Sequence, residues 1–174
     1  MKVLVAEPDD CTGCRYCQLW CSIQHYGELN PFKSSVRIIP FEDDGLYVPG
    51  ICQQCEEAYC RAVCPAKAID RNVATGAVVI DKNICVGCRA CMSACPFGAI
   101  NVTPDGEVFK CDLCDGEPQC AAHCPTGALQ FVEKVLAADQ RKREKAEELA
   151  STHLKKEKTP DRYTYDIPGV VPGP

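Results

Sequence analysis

Apolar residues in this chain fall into short runs set between polar turn residues. Ala77-Val78-Val79-Ile80 follows Thr75-Gly76, and Gly106-Glu107-Val108-Phe109 follows Pro104-Asp105. Each reads as a β-type run after a turn signal. Ser35-Val36-Arg37-Ile38-Ile39-Pro40 and Leu46-Tyr47-Val48-Pro49 are predicted to pair across Glu42-Asp43-Asp44-Gly45. From Glu133 to Lys158 the pattern changes. This stretch lacks Gly, Pro and Cys and is rich in Ala, Glu, Lys and Leu, all good helix formers. Val132, Val135, Leu136 and Leu149 are too few for a long buried stripe, so an exposed helix over 133–158 is expected. Residues 159–174, with Pro160, Pro168, Pro172 and Pro174, are expected to be extended. Tyr163, Tyr165, Ile167 and Val170-Val171 give that tail apolar anchors; a free tail and one docked on another subunit both fit.

Composition changes the picture. Sixteen of 174 residues are cysteine, while Phe, Trp and Tyr reach only 7%. So few large side chains cannot build an ordinary core, and such folds rely on disulfides or metals. The N-terminal Met1-Lys2-Val3-Leu4-Val5-Ala6-Glu7-Pro8 offers no usable apolar stretch and no twin arginine, so a signal peptide is not expected. No run of about 18 apolar residues is present, so no membrane span is expected. A cytoplasmic location follows, with reduced thiols that point to metal; export on a partner's signal is the alternative.

The net charge is −5. Residues 1–132 hold 10 Lys+Arg against 16 Asp+Glu. An acidic body argues against nucleic acid as partner, because phosphate binding needs a basic face.

The cysteines form four groups of four with none left over. They are Cys11, Cys14, Cys17 and Cys21; Cys52, Cys55, Cys60 and Cys64; Cys85, Cys88, Cys91 and Cys95; Cys111, Cys114, Cys120 and Cys124. The first and third groups share Cys-x-Gly-Cys-Arg-x-Cys. The last three share Cys-Pro-x-x-Ala-(Ile/Leu), at Cys64, Cys95 and Cys124, whereas Ser22 follows Cys21. The three-residue gap before each fourth cysteine suits one helical turn.

A Cys-x2-Cys-x2-Cys run sets three thiolates around a loop whose inward N–H groups favour anionic iron–sulfur sites. In two-cluster ferredoxins the fourth cysteine, followed by proline, ligates the other cluster. Zinc would use two separated Cys-x2-Cys pairs or Cys with His, and only three histidines exist. Plant-type 2Fe–2S spacing is absent. The expectation is four 4Fe–4S clusters.

Two pairings of the groups stay open on spacing. Nested pairing joins the second group with the third and the first with the fourth. The ligand sets are then Cys11, Cys14, Cys17 and Cys124; Cys111, Cys114, Cys120 and Cys21; Cys52, Cys55, Cys60 and Cys95; Cys85, Cys88, Cys91 and Cys64. Sequential pairing joins first with second and third with fourth. The 21 residues from Cys64 to Cys85 suit a short hairpin and tilt the balance modestly toward nesting.

Other residues stand near these groups. His25 and His123 are not needed as ligands, and His123 reads as a hydrogen-bond donor or surface residue. Arg15 and Arg89 hold equivalent places in the repeat, either as surface residues or as donors that tune potential. Trp20 and Tyr16 are shields or packing for the first group. No nucleotide fingerprint, Walker loop or Ser–His–Asp set is present. The chain reads as a non-catalytic electron-transfer protein.

The four groups, over residues 11–124, resemble the iron–sulfur subunits of the dimethyl-sulfoxide-reductase type, a family that extends to formate dehydrogenases, hydrogenases and carbon monoxide dehydrogenases. The resemblance implies the nested pairing. Cys11-Thr12-Gly13-Cys14-Arg15-Tyr16-Cys17, with the stretch from Cys21 through His25, Gly27, Glu28, Asn30 and Pro31, is similar to the small ferredoxin-like subunits of tungsten-dependent aldehyde oxidoreductases. That likeness implies a large tungsten-pterin catalytic subunit and a flavin subunit linked to NAD. A molybdopterin enzyme, hydrogenase or carbon monoxide dehydrogenase partner, a free polyferredoxin and a zinc-held scaffold are the alternatives. A wire with two electrical ends could also stack on copies of itself.

The fold expected is α+β: two nested bacterial-type dicluster ferredoxin folds with a C-terminal helix and extended tail. Residues 1–51 with 104–132 form the outer module, 52–103 the inserted module, 133–158 the helix and 159–174 the tail.

Overall fold

The computed structural model describes residues 2–156, so the expected tail lies outside the described residues. Two compact units divide between residues 134 and 135.

The first unit is built from short antiparallel ladders. Strand β1 (Lys2–Ala6) pairs with β8 (Leu129–Glu133), with Leu4 opposite Phe131 and Ala6 opposite Leu129. Sequence patterning did not reveal this closure, because β1 reads alone as a brief apolar run with no turn linking it to its mate. The hairpin β2 (Arg37–Phe41) with β3 (Leu46–Gly50) forms across Glu42–Asp44 as expected. Gly45 adopts φ 65 at its turn, a left-handed conformation that suits glycine. Strands β4 (Ile69–Arg71) and β5 (Val78–Ile80) form a second hairpin, β6 (Ile100–Val102) and β7 (Val108–Lys110) a third. The third hairpin straddles residues 103 and 104.

Four helices carry cysteines: α1 (Tyr16–Tyr26), α2 (Tyr59–Ala62), α3 (Ala90–Ala94) and α4 (Gln119–Ala122). Three of them are a single turn, and α1 is 11 residues long. The reason is one residue. Pro65, Pro96 and Pro125 follow the fourth cysteine of the last three groups. Proline denies a helical N–H and biases the residue before it away from helix. Ser22 stands in the first group, and it lets the helix run on to Gly27, which caps it at φ 69. The Ser22 hydroxyl is fully buried; it donates to Leu19 O and accepts from Asn30 N at 3.1 Å. That bond fixes the stretch after the helix.

Helix α1 packs on α4, and α2 on α3. Cysteine is itself core material. Among the described residues, Cys17, Cys52, Cys111 and Cys120 pack with Leu4, Val36, Ile38, Leu113 and Leu129, and Cys91 packs with Ile69, Val78, Ile100 and Val108.

In the second unit, the helix α5 (Lys134–Lys156) spans the expected segment. Every side chain described from Val135 to Ser151 is exposed. Among the described residues no helix is long and apolar enough to cross a membrane.

Candidate metal centres

The sixteen thiols are brought together in a pattern that crosses the sequence groups. One cavity is lined by Cys11, Cys14, Cys17 and Cys124, another by Cys52, Cys55, Cys60 and Cys95, a third by Cys64, Cys85, Cys88 and Cys91. Each takes three cysteines from one group and one from another. The remaining four, Cys21, Cys111, Cys114 and Cys120, are electrostatic neighbours. Burial pushes the Cys120 thiol far up, and Cys111, Cys21 and Cys114 add to the rise in that order.

Thiols of adjoining sets also feel one another. Cys17 acts on Cys120, Cys52 on Cys111, and Cys60 on Cys91. The sets therefore adjoin in the order of that holding Cys17, that holding Cys111, that holding Cys52 and that holding Cys91.

Local backbone supplies the second feature of these sites. The Ala68 N–H donates to Cys64 Sγ at 3.3 Å, and the Ala99 N–H to Cys95 Sγ at 3.4 Å. This gives the Cys-Pro-x-x-Ala motif its physical content: proline ends the helical turn, and the chain folds back to aim the alanine N–H at the sulfur. Burial raises the Cys124 thiol, but the backbone of Leu129, the Thr126 hydroxyl, 3.8 Å from Sγ, and the backbone of Thr126 and Gly127 outweigh it and lower it. Cys21 has no proline after it. Its donor comes from outside the group, the Ser35 N–H at 3.4 Å. Burial raises the Cys21 thiol, but bonds from His25, Ser35 and Ser34 outweigh it and bring it below its ordinary value.

His25 stands beside that second set. Its Nε2 lies 3.6 Å from Cys114 Sγ and 3.4 Å from Asp112 Oδ1. Bonds to Cys114 and then Cys21 raise the imidazole to about 10, against an opposing effect of burial. Among the described residues, His25, Asp112 and Cys114 are near enough to hold one ion, and Cys114 also neighbours Cys120. His123 is stacked on Trp20, ring centroids 3.6 Å apart, with Nδ1 3.1 Å from Gln119 O. Arg15 and Arg89 are exposed and start α1 and α3 with φ 61 and 63. Their equivalence in the repeat is one of backbone.

Two roles were not visible in the sequence. The β2–β3 hairpin covers the first set: Ile38 and Pro49 line its cavity, and the Tyr47 ring rests against Gly13. A Cβ on Gly13 would lie 2.5 Å from Tyr47 Cδ1, at φ +70; at Gly87, its counterpart in the repeat, φ is +68 and nothing is near. Gly87→Ala is expected to lose only the left-handed backbone preference, ~1–2 kcal/mol. Gly13→Ala loses that and incurs overpacking of about 1–3 kcal/mol more. Thermal unfolding followed by circular dichroism should rank Gly13→Ala clearly below Gly87→Ala; equal transitions would mean that Tyr47 does not cover the loop. The second missed role is that of Gln54 and Lys110, both of which donate to Cys111 O.

The donors fit an iron–sulfur group. Each set offers four soft sulfurs, and backbone N–H groups are turned toward several of them, the arrangement that stabilises an anionic cluster.

Fold and thiols together define an iron–sulfur protein of the ferredoxin kind. Residues 44–134 match the model of the 4Fe-4S dicluster domain, and the protein belongs to that family. Among curated proteins it is similar to the aliphatic sulfonate oxidoreductase polyferredoxin-like subunit of Pyrococcus furiosus, 39% identical over 112 residues, 63% of this chain and 64% of the relative. The putative electron transport protein YsaA of Escherichia coli is 37% identical over 120 residues, 64% of this chain and 75% of that protein. The electron transport protein HydN of the same organism is 34% identical over 106 residues, 58% of this chain and 59% of the relative. The match thus spans less than two thirds of the Pyrococcus and HydN relatives. Among solved structures, a chain of the active site complex BamBC of benzoyl coenzyme A reductase aligns at 31% identity, over 77% of this chain and 80% of that one, with a TM-score of 0.45.

Proposed function

We propose that this chain is the electron-transfer subunit of a larger oxidoreductase and holds four 4Fe–4S clusters in a row. Their ligands are Cys11, Cys14, Cys17 and Cys124; Cys21, Cys111, Cys114 and Cys120; Cys52, Cys55, Cys60 and Cys95; and Cys64, Cys85, Cys88 and Cys91. The observation that carries this reading is the gathering of the thiols into four sets that cross the sequence groups. The outer sets draw on residues 1–51 and 104–132, the inner sets on 52–103 except where the β6–β7 hairpin joins the two. Each bound cluster would supply reversible one-electron storage. The protein orients the sulfurs and donates N–H groups to them, and the β2–β3 hairpin covers part of the end set at Gly13.

The partner is a large catalytic subunit. The Cys21-to-Pro31 stretch, with its resemblance to the small subunits of tungsten aldehyde oxidoreductases, favours a tungsten-pterin protein, with a flavin subunit linked to NAD as a second electron partner. The Pyrococcus relative, described as a subunit of an aliphatic sulfonate oxidoreductase, supports a second reading in which the partner acts on sulfonates. The cytoplasm is the proposed compartment. The native complex, purified without oxygen through a tag on this chain, should contain about 16 iron per chain together with tungsten. The same iron with molybdenum or nickel would change the partner. Zinc in place of iron would overturn the proposal.

A further inference from the structure

Lys110 is a buried cation at the junction of the second and third thiol sets. It ends β7 and is only 8% exposed, where lysine is rarely found unless paired. Its Nζ donates to three carbonyl oxygens and to nothing charged: Val78 O, Cys111 O at 2.9 Å and Gln54 Oε1 at 3.4 Å. Among the described residues no carboxylate lies within ion-pair distance of it. A buried ammonium needs an opposite charge to offset its lost hydration, and neutral acceptors alone do not supply it.

Cluster-bound thiolates on either side would supply the missing charge. Lys110 lines the cavity of Cys52, Cys55, Cys60 and Cys95, and its next neighbour in the chain is Cys111 of the second set. Gln54, between Cys52 and Cys55, holds the bridge in register. Its Nε2 donates to Cys111 O at 3.0 Å, and its Oε1 accepts from Val78 N at 2.8 Å. It adopts φ 46 to do so, a costly conformation for a residue other than glycine.

We propose that Lys110 is the internal counter-cation of the relay, a positioning charge that raises the reduction potentials of the second and third sets and eases electron passage between the two modules. The inference rests on the four-cluster reading above. Each passage moves one electron from one set to the other; no bond changes and no proton moves. Net charge near a cluster is among the determinants of its potential. Two adjoining anionic sites without a cation between them would each be harder to reduce.

The test is anaerobic redox titration of the full-length chain, followed by electron paramagnetic resonance, with iron counted in the same samples. In Lys110→Met, two of the four midpoint potentials should fall, each by at least tenfold in the reduction equilibrium constant, about 59 mV for one electron, while the other two hold. Lys110→Arg should restore them. If Lys110→Met fails to load iron, Gln54→Glu supplies the second arm. It sets a carboxylate beside the ammonium and should lower the same two potentials. Four unchanged potentials in iron-replete variants would overturn the role of Lys110, as would an equal fall in all four. Wild-type chain without four iron-based signals would instead overturn the cluster reading.

Discussion

Stripping the iron from this chain under anaerobic conditions will unfold its first unit. Six of the 22 buried apolar residues described are cysteines, four more are alanines, and Phe109 is the one aromatic among them. The hairpins are three to five residues per strand, too short to stand without something to pack on. Structural zinc in small domains contributes on the order of 10 kcal/mol or more, which already matches the whole stability of a typical domain, about 5–15 kcal/mol. Iron–sulfur clusters held by these buried thiols would carry at least that responsibility. Circular dichroism during chelation should show loss of the strand and helix signals along with the visible absorbance. A chain that keeps its fold after iron removal would show that the thiols are not what holds it.

The pH dependence follows from the same thiols. Burial, aided by neighbouring cysteines, pushes Cys17 and Cys111 from 9.0 to about 12, and Cys120 higher. In the metal-free chain they therefore hold their protons at neutral pH, and iron must displace them. Loading should strengthen as pH rises through 7 to 9, because fewer protons compete. Any metal-free structure should change in the opposite sense. A folded-state value above the unfolded one gives stability that is complete below pH 9 and is lost as pH climbs toward about 12.

The second large effect separates the two pairings. With nested ligands, Cys21 and Cys114 serve one site. Cys21→Ala and Cys114→Ala should each lower iron from about 16 to about 12 per chain, and the double variant should go no lower. Sequential pairing would give Cys21 to the second group's site and Cys114 to another, so the double variant would fall to about 8. The double-variant iron content read against the two singles decides between the pairings.

The cysteine spacing carried most of the site. Sixteen thiols in tight local runs leave little freedom in how three of each four converge, because a loop of seven to ten residues has its geometry written in its own φ and ψ. The Cys-Pro-x-x-Ala repeat likewise carried its helix stop and its N–H donor within five residues. The β2–β3 hairpin was legible because a glycine turn lies between two apolar runs. So was the helix after Glu133, from composition alone.

What only the tertiary structure decided lies between distant segments. The β1–β8 closure joins residues 123 or more apart in register, and such pairing has no local signal. The cover of Tyr47 on Gly13, the Ser35 N–H on Cys21, the approach of His25 to Cys114 and the stack of Trp20 on His123 all depend on long-range packing, that of α1 against α4 among it. Lys110 is the sharpest case. In the sequence it is one of ten basic residues in an acidic body, with nothing to distinguish it from a solvated lysine. Its burial and its three carbonyl partners arise only where Gln54, Val78 and Cys111 come together, because the packing that excludes water there is not encoded in any short stretch of chain. Local residue chemistry determined that this protein holds iron–sulfur groups; long-range packing determined the order in which its thiol sets follow one another and the charge that sits between them.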